Sequence, residues 1–273
     1  MTLMNTTVLD WVLVDLADET TAIVSVLGGL RQGSWSAPTP ATGWSILDQV
    51  SHLAYFDDAT LLALQDPAAF LAQRDELLAL GDRFPDVVAE RHRHLGPHEC
   101  LAWFTRSRRA LLGAYAQADP AYRLPWYGPD MGLASSATGR LMETWAHGQD
   151  VVDTVGLVRP ATTRLRSVAD LGIRTFAFSF ALHGQPHPTT RVRVELTGPQ
   201  GEVWTWGPEQ AIDRVTGAAL DFCLVVTQRR NVLDTGLQVT GAVATAWMQI
   251  AQAYAGAAGT GRPADQFLPV SPS

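Results

Sequence analysis

The sequence predicts an all-α N-terminal four-helix bundle followed by a small α+β domain. Three observations carry this reading. Before residue 156, apolar residues recur at helical spacing through several long stretches. After residue 190 the period switches to two, in residues 191–197 (RVRVELT) and again in 202–206 (EVWTW), across a Gly-Pro-Gln-Gly turn. Between these regimes a long helical pattern stops at Gly156 and Pro160, which sets the boundary near 156–163. Residues 1–158 then form the bundle and 159–257 the α+β domain. Residues 258–273, in a tail rich in Gly, Ala, Pro and Ser, are expected to be loose.

Residues 8–30 carry the first helical pattern and end at Gly28-Gly29. Residues 31–43, rich in Ser, Pro, Thr and Gly, form a loop. A second helix runs from Trp44 to about residue 64, with Ile46, Val50, Leu53, Ala54 and Leu61 on one face. Pro67 opens a third helical stretch over 68–80, and residues 84–117 are helical with a break at Gly96-Pro97. The loop 124–130 (LPWYGPD) leads into a long helix from about 135 to 155. In the second domain, residues 164–182 are helical and the two alternating runs make a β-hairpin. Helices at about 217–228 and 242–255 flank a short strand near 237–240.

A chain of 273 residues, 47% hydrophobic and 17% charged, can build sizeable cores. Its formal net charge of −7 argues against nucleic acid as a partner, since phosphate backbones call for a basic surface. No basic helix points to an anionic membrane surface, and no apolar run reaches the roughly 18 residues of a membrane span. The first 19 residues read as an amphipathic helix rather than a signal peptide. Cys100 and Cys223 lie far apart and form neither a disulfide framework nor a paired metal site, so a cytoplasmic location is expected. Their neighbours Leu101, Phe222 and Leu224 predict buried, inert thiols.

The second helix carries Asp48 and His52, and the long helix carries Glu143 and His147 in METWAHGQD. A spacing of four puts Glu143 and His147 on one face, so a single metal can take both. Bundle interiors build metal sites from facing helices, and two imidazoles with one carboxylate are a common set for catalytic zinc. Spacing alone favours a plainer alternative. A helical wheel puts Leu141, Trp145, Gly148, Val152 and Val155 on one stripe and Glu143, His147, Asp150 and Thr154 opposite, as on a solvated face. Asp48, a turn before His52, and Asp150, a turn after His147, are expected to accept the free ring N–H of a histidine ligand. His92, His94 and His98, like His183 and His187 in their loop, read as surface residues.

The run Pro40-Ala41-Thr42-Gly43-Trp44-Ser45, continued by Asp48-Gln49-Val50-Ser51-His52-Leu53, resembles the loop and second helix of the DinB-like metal enzymes. Among these it is most similar to the mycothiol-dependent maleylpyruvate isomerase group of actinobacteria. Residues 140–150 (RLMETWAHGQD) resemble the fourth helix of that group. The stretch from Trp204-Thr205-Trp206-Gly207-Pro208 through Val215-Thr216-Gly217 to Thr227-Gln228-Arg229-Arg230 resembles its small sterol-carrier-like α+β domain. The resemblance covers most of the chain. It implies a divalent metal on His52, Glu143 and His147, with zinc first and nickel or iron as alternatives, because N/O donor sets discriminate poorly among them. It also implies mycothiol as co-substrate and a small electrophilic, anionic substrate, handled by an isomerase or an S-transferase that is a monomer or homodimer.

Arg229 and Arg230, at the end of the DFCLVVTQRR helix, are expected to meet the anionic group, since the guanidinium fork suits a carboxylate. Arginines at a helix C-terminus also answer its dipole, and the two readings weigh equally. Trp44, Trp126 and Tyr127 border the loops next to the metal helices and either line the pocket or pack the core. Two other functions stay open from the residues: a metal hydrolase or lyase that activates water, and a non-catalytic protein that binds metal or a small molecule.

Overall fold

The computed structural model describes residues 7–267. The first six residues of the expected amphipathic helix and the last six of the tail lie outside them. The chain divides into two compact units, one ending at Arg159 and the next beginning at Pro160. No helix among the described residues is long and apolar enough to cross a membrane.

In the first unit, α1 (Val8–Gly28), α2 (Ile46–Gln65), α5 (Pro97–Gln117) and α6 (Leu133–Thr154) make the bundle, with α3 (Pro67–Leu78) and α4 (Phe84–His92) packed along α2. Helix starts are set by local chemistry. Thr7 with Asp10, and Ser45 with Asp48, close reciprocal capping boxes on α1 and α2. Asp66 caps α3 just before Pro67, and Pro97 opens α5 after Gly96. The expected break at Gly96-Pro97 thus separates α4 from α5. The loop before α6 is clamped by a two-residue pairing, β1 (Arg123–Leu124) against β2 (Met131–Gly132), which the sequence did not predict.

Two apolar clusters fill the bundle. One gathers Ile23, Leu27, Trp35, Ile46, Leu53 and Phe104, and the other Val12, Phe56, Phe70, Leu111, Tyr115 and Leu124. A buried ionic knot also sits in the unit. Arg108 grips both oxygens of Asp57, at 2.7 and 3.0 Å, and bonds the hydroxyls of Thr20 and Thr144 at 2.6 and 3.0 Å. At the far end of α6, Arg159 pairs with the buried Glu19 and lies against Gly148, where a β-carbon would meet its guanidinium at 3.4 Å.

The second unit begins with α7 (Leu165–Arg174) and α8 (Phe176–Leu182), so the single helix expected over 164–182 is broken at Thr175. The strands β3 (Val192–Thr197) and β4 (Val203–Trp206) form the expected antiparallel hairpin. A further strand, β5 (Asp213–Ala218), pairs parallel with β3, and β6 (Gln238–Thr240) pairs antiparallel with β5, giving the order β4-β3-β5-β6. The helix expected over 217–228 therefore starts later, as α9 (Ala219–Val226). β5 escaped the sequence reading because it opens with Asp213, a residue depleted in strands. That carboxylate is buried and caps α10 (Ala242–Ile250) by accepting from the backbone N–H groups of Val243 and Ala244. The tail is tied down as far as Phe267: Asn231 donates to the Arg262 carbonyl, and Asp234 accepts from the N–H groups of Asp265 and Phe267.

Candidate metal centre

α2 and α6 pack side by side and bring His52, Glu143 and His147 together. Glu143 Oε2 lies 3.0 Å from His147 Nε2 and 3.4 Å from His52 Nε2. The two imidazole centroids are 4.4 Å apart. Trp44 stacks on His147 at 5.8 Å and leans on His52 at 5.2 Å, while Phe56 contacts His52 at 4.6 Å. His52 and His147 are only 8% and 9% exposed, which excludes the solvated-face reading of α6. The wheel misled because both α1 and α2 pack against α6, so His147 and Asp150 of its polar stripe are buried and only Glu143 and Thr154 stay partly exposed.

A directed chain of hydrogen bonds sets the state of His147. The Thr39 hydroxyl donates to the carbonyl of Trp44 at 2.8 Å, an atom that can only accept. Thr39 Oγ1 must then accept from Gln49 Nε2, at 2.8 Å, which turns Gln49 Oε1 toward His147 Nδ1 at 2.5 Å. His147 Nδ1 is accordingly the protonated nitrogen, and a neutral ring presents the Nε2 lone pair to the Glu143 carboxylate. Two acceptors at hydrogen-bond distance repel each other unless a proton or a cation lies between them.

Electrostatics keeps the cluster able to donate electron pairs. Burial, helped by the neighbouring His147, pushes His52 down to about 3, so its ring stays neutral. Burial alone would raise Glu143, but the adjacent His147 and His52, which favour its ionised form whenever either ring carries a proton toward it, bring it well below the usual carboxylate range. A tetrahedral ion with bonds of about 2.05 Å has ligand-to-ligand edges of about 3.3 Å. The observed 3.0 and 3.4 Å bracket that edge. Donor chemistry, spacing and the opposed acceptors therefore fit a divalent cation.

The other residues singled out in the sequence fall in different places. Asp48 does not serve His52: its carboxylate bonds Ser45 at the start of α2 and pairs with Arg93 at 2.9 Å. The partner of a ring N–H is Gln49, the next residue along, acting on the histidine of the other helix. Asp150 is fully buried, and its backbone carbonyl accepts from Thr154. Trp44 walls the cluster on one side and on the other lines a cavity of about 630 Å³ with Trp35, Ser36, Gly43 and Arg93; its indole N–H donates to Asp86 at 2.8 Å. Trp126 stacks on Phe70 and Tyr127 on Phe84, and both rings contact Phe56, which in turn touches His52. Arg229 and Arg230 lie in the second unit, where each donates to a nearby backbone carbonyl and Arg230 sits 3.8 Å over the Phe267 ring. Cys100 and Cys223 are buried, and burial raises both thiols, Cys100 to about 12.

Fold and cluster together define a class: helical-bundle proteins in which facing helices present a buried His-Glu-His set at the interior. Within that class, residues 16–152, half of the chain, match the family model described as the mycothiol maleylpyruvate isomerase N-terminal domain, and the chain belongs to that family. In the second unit, residues 188–237 match a model described as wyosine base formation, where the sequence had suggested a sterol-carrier likeness. An uncharacterized protein of Mycobacterium tuberculosis, present in two strains, is 41% identical over 248 residues, which span 91% of this chain and 96% of its own length. The crystal structure of the mycothiol-dependent maleylpyruvate isomerase superposes with a TM-score of 0.57 at 15% identity, over 88% of this chain and 95% of that one. A histidine-to-alanine mutant of that enzyme superposes at 0.56 with 14% identity, over 84% and 92%.

Proposed function

We propose that this chain is a divalent-metal-dependent enzyme that uses an external low-molecular-weight thiol, mycothiol, on a small electrophilic substrate, as an isomerase or S-transferase. The observation that carries this reading is the His52, Glu143 and His147 cluster, whose acceptors face one another across metal-ligand distances. Family membership and the burial of both cysteines support the external thiol, since neither Cys100 nor Cys223 is placed to act as a nucleophile. A bound divalent ion, zinc first on this donor set, supplies the charge that holds a thiol as its thiolate near neutral pH.

The protein's own residues do the rest. His147, oriented through Gln49 and Thr39, offers Nε2 as a fixed lone pair. His52 stays neutral and Glu143 stays ionised, so the donor set is ready without losing a proton first. Trp44 and Phe56 screen the imidazoles from water. Sulfur addition to a conjugated carbon–carbon double bond leaves a single bond free to rotate. Departure of the same thiolate then gives the isomer with no net redox change, whereas return of the thiol's proton to the adjacent carbon, with the carbon–sulfur bond kept, gives the transferase product. Arg229 and Arg230 are proposed contacts for an anionic group of the substrate, and cytoplasmic operation suits a thiol kept reduced.

The test is conversion of an electrophilic substrate by zinc-loaded protein with and without mycothiol, followed by mass spectrometry and by resolution of the cis and trans isomers. Thiol-dependent turnover that is lost in His147→Ala is expected. Equal turnover without thiol would replace this reading by a water-activating one.

A further inference from the structure

The cavity of about 630 Å³ behind Trp44 lies outside the ligand set of the metal centre. Half-buried Trp44, Leu95 and Pro97 wall it, and exposed Gln32, Ser36 and Arg93 give it a polar rim. Its volume falls within the range of about 300–1,000 Å³ typical of small-molecule sites. The two charged residues of the lining answer each other, since Arg93 Nε meets Asp48 Oδ1 at 2.9 Å. The lining therefore carries no net charge. It suits a neutral ligand rich in hydroxyl groups. An anion meets a cation already paired, and a wholly apolar ligand strips water from the rim without replacing its hydrogen bonds.

Position ties this cavity to the metal centre. Asp48 lines it from α2, and His52 follows four residues later, a rise of about 6 Å along the helix axis. Trp44 belongs to both places. The same indole lines the cavity, stacks on His147 at 5.8 Å and leans on His52 at 5.2 Å. A molecule that fills the cavity and also serves the metal must have two parts: a hydroxylated body, and a short arm that carries the reacting atom past one ring. Mycothiol, a cysteine carried on a glucosamine–inositol body, is built in that way.

We infer that this cavity seats the sugar body of the thiol co-substrate, with a C–H face of the sugar against Trp44, its hydroxyls on Gln32, Ser36 and Arg93, and the cysteine arm directed past the indole toward His52, Glu143 and His147. An aromatic face is electron-rich and attracts polarised C–H groups, while the rim side chains exchange water for sugar hydroxyls at little cost. The inference deepens the proposed function and rests on it for the identity of the thiol. It gives the enzyme a means of choosing among thiols. A small thiol such as free cysteine leaves the cavity empty and forgoes that contact, whereas the sugar-borne one fills it.

The test is a calorimetric titration of glucosaminyl-inositol, the thiol-free body of mycothiol, into chelator-treated full-length protein. Saturable binding is expected. Ser36→Trp and Gln32→Trp fill the cavity from its exposed rim, and each should weaken that binding about tenfold or more by steric exclusion. Zinc uptake serves as the check that each variant is folded. Turnover by zinc-loaded protein provides a second readout: in both variants the KM for mycothiol should rise by a similar factor with a much smaller change in kcat, and the preference for mycothiol over free cysteine should fall with it. Absence of saturable binding by wild type, unchanged binding in both filled variants, or an equal loss with mycothiol and with free cysteine would overturn the seat. Turnover that needs no thiol would sink the proposed function instead, and the titration with metal-free protein would still report on the cavity.

Discussion

Helix α6 contributes to two buried polar clusters within two turns, and they are built in opposite ways. Thr144 belongs to the Arg108–Asp57 knot, where Arg108 meets four acceptors at 2.6 to 3.0 Å. Glu143 and His147 belong to a cluster in which a lone pair faces a carboxylate at 3.0 Å and His52 Nδ1 is buried without a partner. The first is what buried polarity looks like when its purpose is to hold helices together. The second is incomplete as protein alone, and incompleteness in a buried site marks where a ligand belongs.

Substitutions should separate the clusters sharply. The largest effect is expected for His147→Ala, which should abolish uptake of about one zinc per chain, as read by elemental analysis, while the metal-free protein keeps its fold. Wild-type metal content in both His52→Ala and His147→Ala would place the ion elsewhere. Arg108→Ala should do the converse. It leaves Asp57 buried without its main partner and should remove about 3–5 kcal/mol of stability in denaturant unfolding, a loss that a stably folded domain of about 5–15 kcal/mol survives only narrowly.

Acid should act on the histidine cluster. The folded His52 titrates near 3 and its unfolded counterpart near 6.5, so between those values the unfolded chain binds more protons and stability rises with pH. Glu143, depressed in the fold, adds stability above its unfolded value of 4.5 that is lost as pH falls through its folded one. Metal-free protein should therefore weaken steadily from about pH 6.5 downward, and His52→Gln should flatten the upper part of that slope in pH-dependent melts. An unaltered slope in His52→Gln would mean that another group sets it.

Smaller effects distinguish Gln49 from its neighbour. Gln49→Leu removes the acceptor that fixes His147 and should weaken zinc binding by roughly 10–100-fold in a chelator competition. Asp48→Asn should leave zinc affinity unchanged and cost about 1 kcal/mol of stability, through the α2 cap and the Arg93 pair. Reversal of those two results would restore Asp48 as the residue that supports the ligands.

Much of this architecture was legible because its signals are local. Helix α2 announces itself through Ser45, Asp48 and its apolar spacing, α5 through Gly96-Pro97, and the hairpin through strict alternation in two runs joined by a four-residue turn. What stayed hidden depends on contacts between elements. β5 opens with an aspartate whose use is to cap a helix 30 residues later. The kink at Thr175 and the anchoring of the tail by Asp234 are likewise set by packing rather than by composition. The ligand triad could be found because Glu143 and His147 sit one turn apart and the surrounding runs resemble a known group. Gln49 could not, since its partner lies 98 residues away on another helix.

The hydroxyl of Thr39 gives the loop before α2 a hold over ligand chemistry that it never touches. A side-chain amide has two nearly isosteric ends, and only the proton that Thr39 accepts from Gln49 decides which end faces the imidazole. Thr39→Val removes that instruction. Gln49 is then free to turn over and offer its NH2 group to Nδ1, which drives the ring proton to Nε2 and converts an electron-pair donor into an N–H. A single methyl-for-hydroxyl exchange in a surface-connected loop thereby acts as a tautomer switch, lowering metal affinity with all three ligand residues still in place.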